Sequence, residues 1–599
     1  MVAYAEMVRE FFGNLIKCRI TPILVKDGSV IGKKSTEDKI ALKDKTVLKR
    51  ALEKFDAAKY ASEDEASDFI LPSITSEVYS NIVIEMGIQR VQCPYEADSH
   101  IARIANDLQC PILTNDSDFI IYNLPKGFVM LDTFNFRNLT RASTNLPSIS
   151  CHVFSQSLLL KSLPGLHIDN LPLFSILLGN DYVEANTFGR ALYQIFNQPY
   201  HGHLRTESRN HQKIANLLDW LRGKSLDQAI DDITYQIHPS SHDGMKRMIK
   251  TLLRSYRIEE IDNFENELLE IYPDSKAEPN TAPEQLPRVY LKRIFEEIDL
   301  RPIALDMILH NSSYSYSKID DHQLQSSGVV RFRPYSVAAT ILRPRSYNNM
   351  TTYRRNIESE LDAFTTYDRI NGRYEKVVIK PLEHLENYGS LENLNIYTAI
   401  KLDQALKKSI VMATFRFTSE EYNLASDCMS RVFTGAFVYE STICLMLVKY
   451  IGRETKLNPK PQFVDALLLS IFYYATRSEK SSNINSDSDT KTKRLINLLK
   501  YYSTLNRNER NDPSFTLYRR ILHFISQLQY AYGSFILLNK ILALPLPVPR
   551  IEKFFNGTII FTLTKLLRLR RLDTESLCSG VPSLFDACRT ARVMVHCDE

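Results

Sequence analysis

At 599 residues, with 44% hydrophobic and 24% charged residues, the chain has the composition of a folded protein, which excludes wholesale disorder. Its formal charge of +4 is too small to indicate a nucleic-acid partner by itself, so any basic surface has to be local. Nine scattered cysteines without a C-x-x-C pair indicate reduced thiols rather than a disulfide framework or a zinc ribbon.

Neither a secretory signal nor a membrane span is evident in the sequence. The N-terminal stretch MVAYAEMVREFFGNLIK carries acidic residues inside its apolar pattern and lacks a cleavage-like site. The longest apolar run, ALLLSIFYYA at 466–475, is half the length that a membrane helix needs. We therefore expect a nuclear protein, with the cytosol as the alternative, that has no membrane partner and is not secreted.

The first part of the chain alternates short apolar runs with helical patterns, as an α/β domain requires. The predicted strands are PILV (22–25), IQRVQ (88–92), the apolar run before TNDSD (114–118), and FVMLDTFNF (128–136). The predicted helices are ITSEVYSNIVIEMG (74–87), EADSHIARIANDL (96–108), and PLFSILLGNDY (172–182), which should end at Gly179. This order predicts a mostly parallel sheet.

The pattern becomes mostly helical beyond residue 190, for example in HQKIANLLDWLRG and LDQAIDDITYQI. Four prolines among polar residues mark a linker. We therefore divide the chain into an α/β domain at 1–190, a helical extension at 191–272, a linker at 273–287, and a large α-helical C-terminal region at 288–599. A disordered loop is predicted within that region at 479–493, where the composition is polar and charged.

Four short acidic motifs follow one another in the α/β domain. They are LVKDG with Asp27, CPYEAD with Glu96 and Asp98, TNDSD with Asp116 and Asp118, and LLGNDY with Asp181. Each has an ordinary structural interpretation: a turn, a carboxylate at the positive end of a helix dipole, an Asx turn, or a solvated residue beyond a helix.

Taken together, the four motifs favour a metal site. Three of them follow a strand or begin the next helix, and in a parallel α/β sheet those positions share one edge. Carboxylates gathered there repel one another unless cations are bound, and hard divalent ions prefer oxygen ligands. Two Mg²⁺ ions ~4 Å apart could clamp a phosphodiester between them.

The motifs VKDG, CPYEADSHIA, TNDSDF and LLGNDY resemble those of the flap endonuclease and XPG superfamily, whose nuclease domain is PIN-like. QCPILTNDSDFIIYNL, LLGNDYV, HQKIANLLDWL and LPLPVPRIEKFFNG (544–557) are most similar to its Asteroid branch. The resemblance implies a PIN-like N-terminal domain and a structure-specific DNA endonuclease dependent on two Mg²⁺ or Mn²⁺ ions. It makes Asp27, Glu96, Asp98, Asp116, Asp118 and Asp181 both catalytic residues and metal ligands.

A lysine-rich segment follows Asp27, and in the superfamily the corresponding helix sends basic side chains to the scissile phosphate. Lys34, Lys39 and Lys43 are the candidate nucleic-acid contacts, whereas the family's usual arginine is replaced by Ala41. A second basic segment at 329–355 interleaves Arg with Phe and Tyr, a mixture that can hold phosphates and stack bases. For both segments, a solvated or packed helix face is the alternative.

The chain departs from the superfamily pattern in two places. It begins downstream of the family's first strand and its metal-binding Asp. Unless the coding sequence upstream of Met1 supplies an in-frame strand ending in Asp, we expect the chain as given to be poorly stable or inactive. After Asp181 the sequence YVEANTFGRALYQIF lacks the paired glycines of the duplex-binding hairpin. A DNA repair endonuclease acting on branched, single-stranded or overhang DNA is therefore weighed against an inactive nuclease-like binding or signalling protein. An RNA-directed nuclease is the third hypothesis, and protein partners are expected on the helical region.

Overall fold

The structure is a computed structural model of the 599-residue chain. The residues that it describes are 1–26, 74–93, 97–141, 146–180, 183, 185–197, 209–236, 241–260, 329–342, 364–370, 373–391, 394, 396–455, 459–478, 490–504 and 515–596. The predicted linker at 273–287 and the lysine-rich segment after Asp27 lie outside these residues.

The chain begins with a helix and a parallel pair of strands. Helix α1 (Val2–Lys17) buries Val8, Phe12 and Leu15, whose spacing of three and four residues places them on one face. Strand β1 (Ile23–Lys26) pairs in parallel with β2 (Gln89–Gln92), and helix α2 (Thr75–Glu85) precedes β2. The strands predicted at 22–25 and 88–92 and the helix predicted at 74–87 are thus confirmed.

A second small sheet follows helix α3 (Asp98–Asp107). Strand β3 (Ile112–Thr114) runs parallel to β4 (Phe128–Met130), and β7 (Val153–Phe154) pairs antiparallel with β4. Gly127 precedes β4 with φ +66°, and a Cβ there would overlap the Phe154 carbonyl oxygen, so the close approach of β7 requires glycine. An antiparallel hairpin, β5 (Leu139–Arg141) with β6 (Pro147–Ile149), lies between these strands in the chain.

The expected single, mostly parallel sheet is wrong for the described strands, which form separate small sheets. Two of the pairings are parallel, but β1 bonds only to β2, and β3 bonds only to β4. The strand predicted at 128–136 ends at Met130, where the chain turns into a 3-10 helix, Leu131–Thr133. The turn is stabilised because Thr133 Oγ1 donates to the Met130 carbonyl (2.8 Å) and Asp132 N–H donates to Asn115 Oδ1 (3.1 Å).

Six helices follow β7 and pack around one another. They are α4 (Gln156–Ser162), α5 (Asn170–Leu178), α6 (Gly189–Phe196), α7 (Arg209–Leu221), α8 (Leu226–Tyr235) and α9 (His242–Leu253). Helix α5 ends at Gly179, whose φ of 90° stops the helix, as the sequence predicts. Helix α8 begins with a capping box in which the Ser225 and Gln228 side chains each bond the other's backbone.

The C-terminal region is dominated by eleven described helices. They are α10 (Val329–Leu342), α11 (Ile396–Lys401), α12 (Gln404–Thr414), α13 (Ser419–Ser430), α14 (Ala436–Glu454), α15 (Pro461–Ser478), α16 (Thr490–Thr504), α17 (Phe515–Ile541), α18 (Gly557–Arg568), α19 (Thr574–Leu577) and α20 (Pro582–His596). The helical C-terminal region is confirmed. No helix among the described residues is both long and apolar enough to cross a membrane.

Two details of this region differ from the prediction. An antiparallel hairpin, β8 (Phe364–Ile370) with β9 (Arg373–Ile379), interrupts the helices, and a shorter pair follows, β10 (His384–Leu385) with β11 (Gly389–Ser390). Residues 490–493, predicted as part of the disordered loop, form the first turn of α16. That turn is held because Thr492 Oγ1 donates to the Gly580 carbonyl (2.9 Å), while residues 479–489 lie outside the described part.

The second basic segment has a structural role in the part that can be seen. Arg333 on α10 donates from Nε to the Thr414 carbonyl (3.0 Å) and from a guanidinium nitrogen to the Ala413 carbonyl (3.4 Å). These carbonyls end helix α12, which a cation stabilises. The alternative of a packed helix therefore accounts for Arg333, whereas residues 343–355 lie outside the described range.

The described residues form one large core and two smaller ones. The large core joins α1 and α2 to the C-terminal helices, with Phe12, Ile82, Tyr450 and Phe535 among its buried members. A second core lies among α4 to α9, and a third lies around α3, β3 and β4. The turn that follows β3 belongs to the second and third cores, through Ile121 and Phe119.

Candidate active site

The turn after β3 places two carboxylates at the end of a strand. Asp116 precedes a 3-10 helix, Ser117–Ile120, and its Oδ1 accepts the Asp118 N–H (2.9 Å), which is the Asx turn predicted from the sequence. Asp116 N–H in turn donates to Thr114 Oγ1 (3.0 Å). Asp116 is exposed and Asp118 half-buried, whereas Phe119 beneath them is buried. The buried Phe119 ring therefore anchors the turn, which leaves Asp116 exposed and Asp118 half-buried.

The turn after β4 lies beside it because the two strands are parallel and in register. Thr114 is paired with Met130, so Asn115 and Leu131 are the first residues beyond the paired strand ends. Asn115 Nδ2 donates to Asp132 Oδ1 (3.1 Å), and Asp132 N–H donates to Asn115 Oδ1 (3.1 Å). These two hydrogen bonds join the turns across the edge of the sheet.

The sequence analysis did not single out Asp132, which the structure places beside the turn that carries Asp116 and Asp118. The alternation of FVMLDTFNF favours a strand through residue 136, which would carry Asp132 along the strand instead of placing it at an edge. The usable signal was the equal position of two acids, since Asp116 and Asp132 each come two residues after the last residue of a short apolar strand. That comparison needs the register of the pair, which the sequence alone does not supply.

Asp98 is the third predicted acid that the structure describes. It is the first residue of α3 and half-buried, and β2 ends six residues earlier at Gln92. An acidic side chain in the first helical turn is stabilised by the helix dipole, so Asp98 fits both the structural and the metal interpretation.

The other predicted site residues, Asp27, Glu96, Asp181, Lys34, Lys39 and Lys43, lie outside the described residues. Two of these acids have a described residue directly before them: Asp27 follows β1, and Asn180, just before Asp181, donates to the Tyr256 hydroxyl (3.1 Å). Within the described part of the chain, no three Asp, Glu, His or Cys side chains lie close enough to hold a metal ion. The convergence of all six acids thus stays a prediction.

Two family models match the chain. The one described as XPG domain containing matches residues 66–171, which include Glu96, Asp98, Asp116 and Asp118. The one described as Asteroid N-terminal domain matches residues 441–587. The resemblance to the Asteroid family is confirmed. The XPG-type segment contains the turn after β3, and the Asteroid-type segment lies in the C-terminal helical region.

Curated relatives align with between 42% and 98% of the chain. The Single-strand DNA endonuclease ASTE1 of Homo sapiens is 22% identical over 599 residues, covering 98% of this chain and 82% of that protein. Its Danio rerio namesake is 24% identical, covering 96% of this chain and 75% of that protein. Protein asteroid of Drosophila melanogaster is 24% identical, covering 42% of this chain and 34% of that protein. No solved structure matches the chain.

Proposed function

We propose that the chain is a metal-dependent endonuclease that hydrolyses phosphodiester bonds in single-stranded or branched DNA. The observation that carries this proposal is the Asx turn after β3, which lies inside the XPG-type segment and leaves Asp116 exposed and Asp118 half-buried. The relatives named as single-strand DNA endonucleases support the choice of DNA as substrate. The proposal includes a PIN-like domain, in which the predicted acids would lie together at one edge of the sheet.

The donor chemistry of the predicted set fits Mg²⁺ or Mn²⁺, because it consists of carboxylates alone. Asp116 and Asp118 would hold the ions together with Asp27, Glu96, Asp98 and Asp181. When bound, two such ions act as Lewis acids on the phosphodiester. The protein contributes by holding the carboxylates in place: the Asp118 N–H fixes Asp116 Oδ1, and buried Phe119 anchors the turn.

The substrate and setting form the second part of the proposal. Lys34, Lys39 and Lys43 would contact the scissile phosphate. Nuclear location and a role in DNA repair fit a DNA substrate, and the C-terminal helical region offers surfaces for protein partners.

The test is cleavage by the full chain of labelled single-stranded, overhang and branched DNA, with matched RNA, in the presence of Mg²⁺ or Mn²⁺. Asp116→Asn and Asp118→Asn should each lower kcat by about 100-fold, since each loses a metal-binding carboxylate. Asp107→Asn is the matched control, because Asp107 is exposed at the opposite end of α3 and should leave kcat unchanged.

Three results would contradict the proposal. If none of these substrates is cleaved, the proposed nuclease activity is wrong and the binding or signalling hypothesis is favoured. Full activity of both Asp→Asn variants would remove these acids from the site. Cleavage of RNA in preference to DNA would make the assigned substrate wrong.

A further inference from the structure

Building on the proposed function, we propose that Asn115 and Asp132 are positioning residues that hold the metal-binding turn in its working geometry. The pair joins two turns that the chain delivers to one edge of the sheet. Asp132 is distant in sequence from Asp116 and Asp118. We infer that it stabilises their turn through its hydrogen bonds to Asn115. Asn115 directly precedes Asp116 and is the residue through which β4 can reach the acids.

The contact is specific because both hydrogen bonds use the same two residues. The Asn115 amide donates through Nδ2 to the Asp132 carboxylate and accepts through Oδ1 from the Asp132 backbone, at 3.1 Å each. A two-point contact fixes orientation as well as distance, which a single hydrogen bond does not. It therefore sets the path of the chain as it leaves β3 toward Asp116.

Two further hydrogen bonds hold the turn that carries the carboxylates, and a third holds the turn that carries Asp132. Thr114 Oγ1 accepts the Asp116 N–H, and Asp116 Oδ1 accepts the Asp118 N–H, so the backbone from residue 114 to 118 is a continuous chain of contacts. On the other strand, Thr133 Oγ1 donates to the Met130 carbonyl and holds the turn that presents Asp132. A shift of Asn115 would therefore move the Asp116 carboxylate.

The exposure of both side chains indicates that the pair affects the geometry of the site more than the stability of the fold. Asn115 and Asp132 are both exposed, and a hydrogen bond between exposed groups adds little to the stability of the fold. Its removal should leave the protein folded. The partners that orient metal-binding side chains behave differently, since their loss typically costs about 10-fold to 100-fold in metal affinity or activity.

The chemistry of the pair allows an exchange experiment. Asn115→Ala removes both hydrogen bonds, and Asp132→Ala removes the one to the carboxylate. Asn115→Asp places two carboxylates against each other and should be the most harmful single change. The double variant Asn115→Asp with Asp132→Asn restores both contacts, because the new carboxylate accepts from the residue 132 backbone and from the new amide.

The readouts are Mn²⁺ affinity by electron paramagnetic resonance, kcat and KM for single-stranded DNA, and Tm, all on the full chain. We expect each alanine variant to bind Mn²⁺ about 10-fold more weakly than the parent protein and to have a kcat about 10-fold lower. Their KM and Tm should stay close to those of the parent protein. The exchanged double variant should recover most of both losses. A merely structural pair would instead lower Tm and leave the Mn²⁺ affinity of the folded protein unchanged.

The inference is overturned if both alanine variants bind Mn²⁺ as tightly as the parent, or if the exchanged variant is as weak as Asn115→Asp alone. Its failure is distinguishable from failure of the proposed function. A parent protein that binds Mn²⁺ but cuts no DNA contradicts the nuclease assignment, and the Mn²⁺ measurements still decide the role of the pair.

Discussion

Lys540 Nζ lies 3.2 Å from Glu77 Oε2, although the two residues are 463 positions apart in the chain. Glu77 lies in the first turn of helix α2, and Lys540 lies in the last turn of helix α17. A second contact, from Asn81 Nδ2 to Glu552 Oε2 (3.5 Å), joins the same helix to the C-terminal region. The first α/β elements are thus docked on the far end of the chain by polar contacts as well as by the shared core.

We predict that Glu77 and Lys540 are energetically coupled. Their side chains are 29% and 18% exposed, so the pair is less screened by solvent than an open surface pair. A double-mutant cycle with Glu77→Gln and Lys540→Met should give a coupling of about 0.5–1 kcal/mol in the free energy of unfolding. Glu77→Gln combined with Lys246→Met is the control, because Lys246 pairs with Asp231. Coupling no larger than in this control would show that the docking contact does not form in solution.

The buried Asp465 carboxylate should make Arg592 indispensable for stability. Asp465 is 1% exposed on α15, and Arg592 on α20 donates to both its oxygens, from Nε at 2.7 Å and from a terminal nitrogen at 2.5 Å. Thr574 Oγ1 adds a third bond at 2.7 Å. Arg592→Ala should lower the free energy of unfolding by about 3–5 kcal/mol, measured by urea denaturation, because it leaves a buried carboxylate without its cation.

A companion variant separates the charge effect from simple loss of packing. Asp465→Leu together with Arg592→Met replaces the ion pair by apolar side chains and should be more stable than Arg592→Ala alone. If the single variant unfolds at the same urea concentration as the parent, the carboxylate is not buried as the structure describes.

Glu440 should make stability fall as the pH rises. Burial raises the pKa of this carboxyl from 4.5 to about 8, and the negative Glu552 nearby acts in the same direction, while the Arg550 backbone N–H (2.6 Å) opposes it. In the unfolded chain the carboxyl loses its proton near pH 4.5. Between these two pKa values the folded protein binds the extra proton, so the free energy of unfolding decreases with pH.

The measurement is urea denaturation of the parent and Glu440→Gln at pH 5 and pH 8.5. Because glutamine does not ionise, the free energy of unfolding of Glu440→Gln should decrease less between pH 5 and pH 8.5 than that of the parent protein. Glu420→Gln is the control, because Glu420 is exposed at the start of α13. Parallel curves for the parent and Glu440→Gln would contradict the raised pKa.

Local features of the sequence predicted local structure well. Gly179 ends α5, and the residues around Asp116 form an Asx turn, because in both cases the conformation is decided within a few neighbouring residues. The hairpin of β8 and β9 could also have been predicted, although the surrounding helical patterns led us to expect helices. Its strands, Phe364–Ile370 and Arg373–Ile379, flank Asn371-Gly372, which is a strong hairpin signal.

Features that depend on distant partners were beyond the reach of the sequence. Asp132 turns out of β4 because its backbone bonds the Asn115 side chain, and Phe134 and Phe136 pack edge-on against Phe11 of α1 instead of continuing a strand. The sequence around residues 128–136 does not indicate that Asn115 and Phe11 are its partners. The positions of Asp116 and Asp118 were predicted from their own motif, whereas the side chain that joins their turn to β4 needed the strand register.

The shared core of α1, α2 and the C-terminal helices has a consequence for how the chain is made. The ribosome releases Phe12 early, but the C-terminal part of its core, which includes the 3-10 helix Ile551–Lys553 that contacts α1, emerges only after most of the chain has been synthesised. The apolar face of α1 therefore waits in a nascent chain without its native cover. Such long-range closure slows folding and leaves apolar surface exposed to aggregation until the C-terminal helices have been synthesised.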